Sequence, residues 1–396
     1  MRFNRRKFIK KSGMAGASMA VAVPFFSFDK GASKNDTINV GVIGTGARGT
    51  GLIRLMREIR ELNVIACCDI LSFRLDEALR LAPKAQRYTD YRQLLENNDI
   101  DAVIIATPLY LHATMAIDSM DAGKHVYCEK TMAFNVEQTN QMISSVNSNQ
   151  DLVFQVGHQY HNSRLYSKIV DLIRNNQIGT VTGFDCQWNR NGNWRKPVPE
   201  KKYERKINWR MYREYSCGLL AELSAHQIDF VNWATKSHPQ SVLGTGGIDY
   251  WKDGRETFDN VHVVFDYPNG IKAKFTCTTA NAYEGYQIKV LGDKATIVVK
   301  PESATIYPEI ALYERETEVV DGVSGATADW GQDTVSGIPI NIEHLDPSKQ
   351  ALIDFAESIQ NNREPISNVR TGADTSFSVH MALEAMMEKK VVYWKY

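Results

Sequence analysis

The chain has no excess of charge of either sign, few cysteines and no repeat. Lys+Arg and Asp+Glu both total 46, so the sequence offers no electrostatic case for binding nucleic acid. The six cysteines show no C-x-x-C spacing, and we expect core thiols rather than a disulfide framework. With 43% hydrophobic residues and 23% charged residues, the composition is typical of globular proteins. A length of 396 residues favours two domains.

Residues 1–31 differ in composition from the rest. A basic stretch precedes the apolar segment 13–26, which is too short to be a good membrane span. Residues 4–10, Asn-Arg-Arg-Lys-Phe-Ile-Lys, resemble a twin-arginine export signal with Asn replacing the usual Ser or Thr, and residues 20–22 offer a cleavage site. We therefore expect a periplasmic or otherwise exported protein without stable membrane insertion.

Two alternatives for this segment stay open. It is also compatible with a basic, disordered N-terminus or with an uncleaved membrane anchor. A bacterial lipoprotein anchor is excluded, because the segment contains no cysteine.

A glycine-rich turn, Gly44-Thr45-Gly46-Ala47-Arg48-Gly49, follows the apolar run 38–43 and precedes apolar residues at helical spacing. This is the G-x-G-x-x-G pattern of a strand-to-helix turn that holds a dinucleotide pyrophosphate. The glycines permit the turn, the approach of backbone N–H groups to the phosphates, and close packing of helix and strand. The helix N-terminus adds free N–H groups and the positive end of the dipole.

Asp69 ends the second apolar run and lies 69 − 46 = 23 residues beyond the second glycine. An acid at about 20 residues binds the adenosine ribose hydroxyls in such folds. Since a carboxylate repels a 2′-phosphate, the sequence favours NAD over NADP. The alternative is a structural glycine turn in another α/β fold, with Asp69 capping a loop.

The order of predicted elements indicates two different sheets. Apolar strands alternate with helices up to about residue 158, which predicts a doubly wound parallel sheet. From about residue 180 several strands follow one another through Gly/Asn/Asp turns, which predicts an α+β domain with a large, mostly antiparallel, open-faced sheet. We divide the chain into a signal segment at 1–31, a Rossmann domain at 36–158 and a substrate and oligomerisation domain at 159–396.

Three further segments complete a family pattern. They are Ala106-Thr107-Pro108 with His112, residues 122–126 leading to Glu129-Lys130, and the helix with Glu222, His226 and Asp229 on one predicted face. Together with the glycine turn they resemble the glucose-fructose oxidoreductase / inositol dehydrogenase family. The resemblance implies a Rossmann domain, an open sheet used for dimer or tetramer contacts, and a catalytic lysine–acid–histidine set acting on sugars and polyols.

The resemblance maps the catalytic set onto Lys130, Glu222 and His226. Two residues depart from the family pattern: Thr131 replaces the usual proline in the loop, and Glu222 replaces the usual aspartate, which lengthens the carboxylate arm. We expect His226 to act as base, Glu222 to orient it, and Lys130 to stabilise the developing alkoxide. The plainer alternatives are a solvated loop lysine, a core histidine and a surface acid. The expected NAD contacts are Gly44, Gly46, Ala47, Arg48, Gly49, Asp69, Thr107, Pro108, His112, Glu129 and Lys130.

Aromatic and basic residues near the predicted site suggest the substrate. Indole rings suit the C–H faces of pyranoses and planar polar groups suit their hydroxyl edges, although ordinary packing and surface ion pairs explain such residues equally well. A metal site of His158, His161, Glu222 and His226 is a further alternative, and we expect none. The substrate candidates are His158, Tyr160, His161, Trp188, Arg190, Trp194, Trp209, Arg210 and Tyr212.

Three functions follow from these residues. The first is an NAD-dependent dehydrogenase that oxidises a ring hydroxyl, such as that at C3, to a keto-glycoside with a tightly bound cofactor. The second is an NAD-dependent glycosidase that works by oxidation, elimination and re-reduction, for which Tyr160 or His161 would serve as the extra base. The third is a non-catalytic sugar-binding protein. This function would not explain why the chain has both Lys130 and His226.

Overall fold

The computed structural model describes residues 37–309 and 336–396. The predicted signal segment lies outside the described residues, so export stays a prediction. Within the described part of the chain, no helix is long and apolar enough to span a membrane.

The first sheet has six parallel strands in the order β3-β2-β1-β4-β5-β6. Its central strands are apolar and buried on both faces, as a parallel sheet between two helical layers requires. The strand order reverses beside β1, and ligands bind in such folds at the carboxyl ends of the strands near this point. The strands are β1 Ile38–Ile43, β2 Leu62–Cys68, β3 Gln86–Tyr88, β4 Ala102–Ile105, β5 His125–Cys128 and β6 Phe154–Val156.

Helices with one apolar side connect these strands. The N-termini of the helices after β3 and β5 are capped by Asp90 and Asn135, whose side chains accept from backbone N–H groups. The first helix instead starts at Gly46, without a side-chain cap. The helices are α1 Ala47–Met56, α2 Ser72–Leu81, α3 Tyr91–Leu95, α4 His112–Asp121 and α5 Val136–Ser148.

The second sheet has nine strands in the order β14-β13-β12-β11-β7-β10-β9-β8-β15. Every neighbouring pair is antiparallel except β7 and β10. A turn at Pro268–Gly270 reverses the chain between β9 and β10, with Asn269 and Gly270 at positive φ. The strands are β7 Val181–Asn191, β8 Ser241–Gly247, β9 Asn260–Asp266, β10 Lys272–Thr278, β11 Ala280–Gly292, β12 Ala295–Val299, β13 Ala304–Pro308, β14 Ile338–Ile340 and β15 Val392–Tyr393.

Helices cover one face of this sheet, and its other face is open. Strand β10 shows the alternation, because Ala273 and Phe275 are buried while Lys272 and Lys274 are exposed. The fold class predicted from the sequence is confirmed. The remaining helices are α6 Arg164–Arg174, α7 Glu204–Ile207, α8 Ala225–Thr235, α9 Pro347–Gln360 and α10 Val369–Glu388.

Two helical features differ from the expected pattern. The predicted helix that carries Glu222, His226 and Asp229 is a wide π-turn at Leu220–Ser224 followed by α8. In addition, α9 packs Leu352 and Phe355 into the core on one face of the first sheet, although it follows the second sheet in sequence. The C-terminal region therefore contributes to the surroundings of the glycine turn.

Candidate active site

The glycine turn joins β1 to α1 in the conformation that its sequence requires. Gly44 has φ +89°, and a Cβ there would lie 2.7 Å from the carbonyl oxygen of Ala106. A Cβ on Gly49 would lie 1.9 Å from the carbonyl oxygen of Gly44, so the first turn of α1 passes directly over β1. Because Gly46 caps α1 without a side chain, backbone N–H groups stay available at the turn. These features fit a pyrophosphate.

Asp69 ties the end of β2 to this turn. One carboxylate oxygen accepts from the backbone N–H of Thr45 at 2.9 Å, and the other accepts from that of Leu71 at 2.9 Å. Buried at 8% exposure, the carboxylate fixes negative charge beside the turn. A 2′-phosphate at this edge would meet that charge.

Arg48 joins three distant segments. Its Nε donates to Glu129 at 2.7 Å and its Nη1 donates to the hydroxyl of Ser348, at the start of α9, at 3.0 Å. Burial disfavours the guanidinium charge, yet Glu129 raises the pKa of Arg48. Arg48 Nη2 and Thr107 Oγ1 are buried and have no hydrogen-bond partner among the described residues. These two groups fit the polar atoms of a dinucleotide.

Lys130 follows β5 and reaches the π-turn of the second domain. Its Nζ donates to the carbonyl of Glu222 at 2.8 Å, while the hydroxyl of Thr131 donates to the carbonyl of Ala221 at 2.9 Å. Thr131 follows a cis peptide bond, and its carbonyl lies 2.8 Å from Nδ1 of His112. Burial lowers the pKa of Lys130, although Glu222 opposes this shift. The amine is therefore held one helical turn before His226.

His226 lies in an aromatic surrounding with little access to water. The rings of Tyr160, Trp188 and His158 lie at centroid distances of 5.1, 5.8 and 6.2 Å from its imidazole. The residue is 6% exposed, and Nδ1 has no hydrogen-bond partner in the described ranges. Burial, followed by the positive charge of Lys130, lowers the pKa of His226 well below its usual range. The imidazole is therefore neutral at pH 7 and able to accept a proton.

Glu222 contacts other partners than expected. Its carboxylate accepts from Arg210 Nε at 2.6 Å and from the hydroxyl of Ser216 at 3.3 Å, whereas the sequence predicted that it orients His226. The physical reason is the π-turn, whose extra residue per turn rotates Glu222 out of the i, i+4 relation to His226. Despite burial, Arg210 and then Lys130 hold the pKa of Glu222 below its usual value.

Asp229, which the sequence placed on one helix face with Glu222 and His226, lies between two histidines. Its carboxylate oxygens lie 3.4 Å from Nδ1 of His158 and 2.9 Å from Nε2 of His161, and the Thr375 hydroxyl donates to it at 3.3 Å. The ring of His161 stacks on Trp233 at 4.5 Å. His158 thus lies beside His226, while His161 contacts Asp229 and Trp233.

The substrate candidates divide into two groups. Tyr160 and Trp188 line His226, and Arg190 lies over the rings of Trp188 and Trp194 at 5.6 and 5.5 Å. The second group lies near Glu222: Arg210, which donates to Glu222, lies over Trp209 at 4.1 Å, and Arg205 lies over Tyr212 at 4.2 Å.

Sequence reasoning missed Tyr166 and Tyr286, whose hydroxyls lie 2.7 Å apart and whose rings support Tyr160. They come from α6 and β11, and no motif links them to the site. Across the described residues, no three His, Cys, Asp or Glu side chains are grouped to hold a metal ion.

Comparison with known families agrees with this geometry. Residues 38–158 match the oxidoreductase family described as having an NAD-binding Rossmann fold, and residues 166–298 match the GFO/IDH/MocA C-terminal domain. The chain belongs to the GFO/IDH/MocA family of oxidoreductases. The cofactor predicted from the glycine turn, NAD, is confirmed by this match.

Individual proteins resemble parts of the chain. A glycosyl hydrolase family 109 protein of Shewanella pealeana is 28% identical over 237 residues, which cover 54% of this chain and 51% of that protein. An inositol 2-dehydrogenase of Salmonella paratyphi B is 30% identical over 145 residues, which cover 36% of this chain and 43% of that one. The matches thus span about half the length of these relatives.

A solved levoglucosan dehydrogenase in complex with NADH superposes with a TM-score of 0.72 at 19% identity, covering 90% of this chain and 99% of that one. At this identity the superposition shows a shared fold.

Proposed function

We propose that the protein is an NAD-dependent dehydrogenase that removes hydride from a ring hydroxyl of a sugar or glycoside. Oxidation at C3 would give a keto-glycoside. One observation supports this most strongly: the neutral, buried imidazole of His226 lies beside the rings of Tyr160 and Trp188, one helical turn after the Glu222 carbonyl that holds the Lys130 amine.

The chain's own residues provide the proton chemistry. Bound NAD supplies a hydride acceptor. His226 takes the hydroxyl proton of the alcohol. The O–H electron pair then forms the carbonyl bond as hydride leaves the carbinol carbon. Lys130 carries donors that stabilise the developing alkoxide, and its lowered pKa places it nearer to neutral pH than a free lysine. Glu222, whose carboxylate is ionised beside Arg210, raises the pKa of Lys130 and so favours the protonated amine.

The nature of the substrate is inferred from the lining of the site. Trp188 and Tyr160 offer flat apolar faces next to the base, and Arg190 brings donors over the indole of Trp188. Pyranose rings present C–H faces and hydroxyl edges that match these groups. Two similar proteins are named for polyol or anhydro-sugar dehydrogenation, which supports the same substrate class.

A second function, an NAD-dependent glycosidase, has separate support. One relative carries the name of a glycosyl hydrolase family, and His158 places a second imidazole beside His226. In that reaction oxidation would be followed by elimination of the aglycone, addition of water and return of the hydride.

Cofactor retention, export and assembly complete the proposal. The bond from Arg48 to Ser348 brings α9 to the glycine turn, which favours a tightly bound nucleotide. Tight binding is what an exported enzyme needs, since NAD is a cytoplasmic metabolite. The open face of the second sheet offers a surface for a homodimer or homotetramer.

The test uses the purified protein with its bound nucleotide and a panel of p-nitrophenyl glycosides of both anomeric configurations. Accumulation of a keto-sugar with reduction of the nucleotide is the expected result. Release of nitrophenol without net NADH would favour the glycosidase. If the purified protein contains no NAD and turns over no glycoside, both proposed enzyme functions are contradicted.

A further inference from the structure

Two large apolar side chains are exposed next to Asp69, where the adenosine of NAD is expected to lie. Ile70 directly follows Asp69 and is 65% exposed, and Phe73, in the first turn of α2, is 41% exposed. The same turn reaches the glycine turn, because Nη1 of Arg74 lies 3.3 Å from the position that a Cβ on Gly46 would take. Exposed apolar side chains at the ribose-binding edge offer an adenine ring a surface to pack on.

A segment of the second domain reaches this edge of the Rossmann domain. The ring of Tyr203 packs edge-on against that of Phe73, with the ring centroids 6.0 Å apart. Phe73 belongs to α2 of the first domain, whereas Tyr203 lies between β7 and the π-turn of the second. The two domains therefore touch beside the adenosine end of the nucleotide site.

The same segment meets the Rossmann domain again on the other side of the glycine turn. Tyr110 follows β4 and the predicted cofactor contact Thr107, and its ring centroid lies 5.0 Å from that of Tyr215. Because β2 and β4 flank β1 in the sheet, the contacts that follow these two strands lie on opposite sides of the turn after β1. A dinucleotide along this edge would pass beneath residues 203–216, which we call the covering segment.

Polar contacts give the covering segment a fixed shape. The carboxylate of Glu204 accepts from the Asn208 amide at 3.0 Å and from the Tyr212 hydroxyl at 3.2 Å. The carbonyl of Met211 accepts from the backbone N–H of Glu256 at 2.7 Å, which fixes the middle of the segment to the second domain. The rings of the two outer tyrosines thus project from a folded element.

The covering segment also contacts the acid of the proposed catalytic set. Arg210 Nε and the Ser216 hydroxyl donate to the carboxylate of Glu222 at 2.6 and 3.3 Å. This carboxylate in turn raises the pKa of Lys130. The element that touches the adenosine end of the site therefore also determines the charge at its catalytic end.

We propose that the covering segment is the outer wall of the NAD site. Phe73 and Tyr203 close the adenosine end, Tyr110 and Tyr215 close the other side, and the nucleotide leaves when these ring contacts separate. The inference rests on the cofactor retention in the proposed function and names the residues that cause it. The ligand class is a dinucleotide, since nicotinamide mononucleotide has no adenosine to lie beneath the first contact.

The test measures how fast the nucleotide leaves the protein. Full-length protein is loaded with radiolabelled NAD and mixed with an excess of unlabelled NAD, and the bound label is followed over time. We expect release about tenfold faster in Tyr203→Ala and in Tyr215→Ala, because each variant loses one aromatic pair. The two effects should multiply in the double variant, since the contacts are separate.

Tyr250→Ala is the matched control. It removes a ring of the second domain that is 59% exposed and pairs with Trp251 at 4.9 Å, away from the Rossmann domain. This variant should release NAD at the wild-type rate. Tyr203→Phe keeps the ring and should also keep the wild-type rate, which distinguishes a lost contact from a folding defect.

Two results overturn the inference. One is an unchanged release rate in both alanine variants. The other is a wild-type protein that releases NAD as fast as it releases nicotinamide mononucleotide, and this result does not depend on how the variants fold. Neither measurement uses a sugar, so slow, tyrosine-dependent release without oxidation of any glycoside would contradict the proposed function and leave this inference standing. If the protein takes up no NAD, both proposals are contradicted.

Discussion

Arg210 donates its Nε to Oε2 of Glu222 at 2.6 Å, and this pair determines the charge next to Lys130. The ionised carboxylate, held by Arg210, favours positive charge on an amine that burial would otherwise neutralise. The acid of the proposed catalytic set thus acts on the lysine rather than on the histidine.

Replacing Arg210 should therefore change the pH dependence of the reaction. In Arg210→Met the pKa of Glu222 rises, since its folded-state pKa is held down by Arg210. The acid limb of the turnover profile should move to higher pH, with several-fold lower activity near neutrality. Arg205→Met is the control, because Arg205 pairs with exposed Glu214 at 2.9 Å. An acid limb at the same pH in Arg210→Met would contradict the assigned role of the pair.

Lys130 should be needed for turnover but not for holding the nucleotide. Lys130→Ala removes the donor that stabilises the alkoxide, and a loss of roughly 10²- to 10³-fold in turnover is expected. The nucleotide content after gel filtration should stay unchanged. Lys124→Ala is a matched control, because Lys124 also donates to a backbone carbonyl, that of Asn97, at 3.0 Å. Equal rates for the two variants would refute a catalytic Lys130.

The glycine turn gives a steric prediction with an internal control. Gly49→Ala would place a Cβ 1.9 Å from the Gly44 carbonyl, whereas Gly51→Ala, on the same helix, meets nothing within 4 Å. The first variant should lose bound NAD and stability. The second should keep NAD and gain about 0.5–1 kcal/mol, because alanine is favoured over glycine within a helix. Thermal unfolding and nucleotide content check both. Retained NAD in Gly49→Ala would contradict the assignment of the glycine turn as the pyrophosphate site.

Asp69 should set the preference between the two dinucleotides. In Asp69→Asn the charge that opposes a 2′-phosphate is lost, while an amide oxygen still accepts from one of the two backbone N–H groups. We expect the ratio of NAD to NADP affinity to fall by about tenfold, or 1.4 kcal/mol. Isothermal titration with both nucleotides measures this ratio. An unchanged affinity ratio would mean that Asp69 only stabilises the backbone of the glycine turn.

The buried histidines make stability depend on pH. The pKa values of His158 and His226 are lowered in the folded protein, so unfolding takes up protons once the pH falls below about 6.5, the pKa of an unfolded histidine. The contribution of these two histidines is then complete above pH 6.5 and falls between pH 6.5 and about 4, by roughly 3 kcal/mol for His158. Unfolding curves in denaturant across this range provide the check. Constant stability would show that these imidazoles are charged or solvated.

Local sequence patterns predicted those parts of the protein in which chain neighbours determine the geometry. The first strand, its glycine turn and the helix after it are all local, and so is the buried run before Asp69. The alternation in β10 likewise shows in the sequence, because one side faces the core and the other is open.

Other features depend on contacts between distant segments. Helical periodicity does not reveal the π-turn, since its carbonyls are satisfied by Lys130 and Thr131, about 90 residues earlier in the chain. The bond of Arg48 with Ser348 spans 300 residues, and the pairing of His158 with Asp229 joins two domains. No spacing rule connects such residues, and so the partners of Glu222 and Asp229 emerged from the structure.

The central claim is that the chain transfers hydride from a sugar ring hydroxyl to its bound NAD. The most direct measurement is a single turnover with a glycoside deuterated at the oxidised carbon, followed by mass analysis of the released nucleotide. The account predicts reduced nucleotide that carries deuterium, with the label appearing roughly 10²- to 10³-fold more slowly in Lys130→Ala. Nucleotide that stays oxidised or unlabelled with glycosides deuterated at each ring carbon would contradict it.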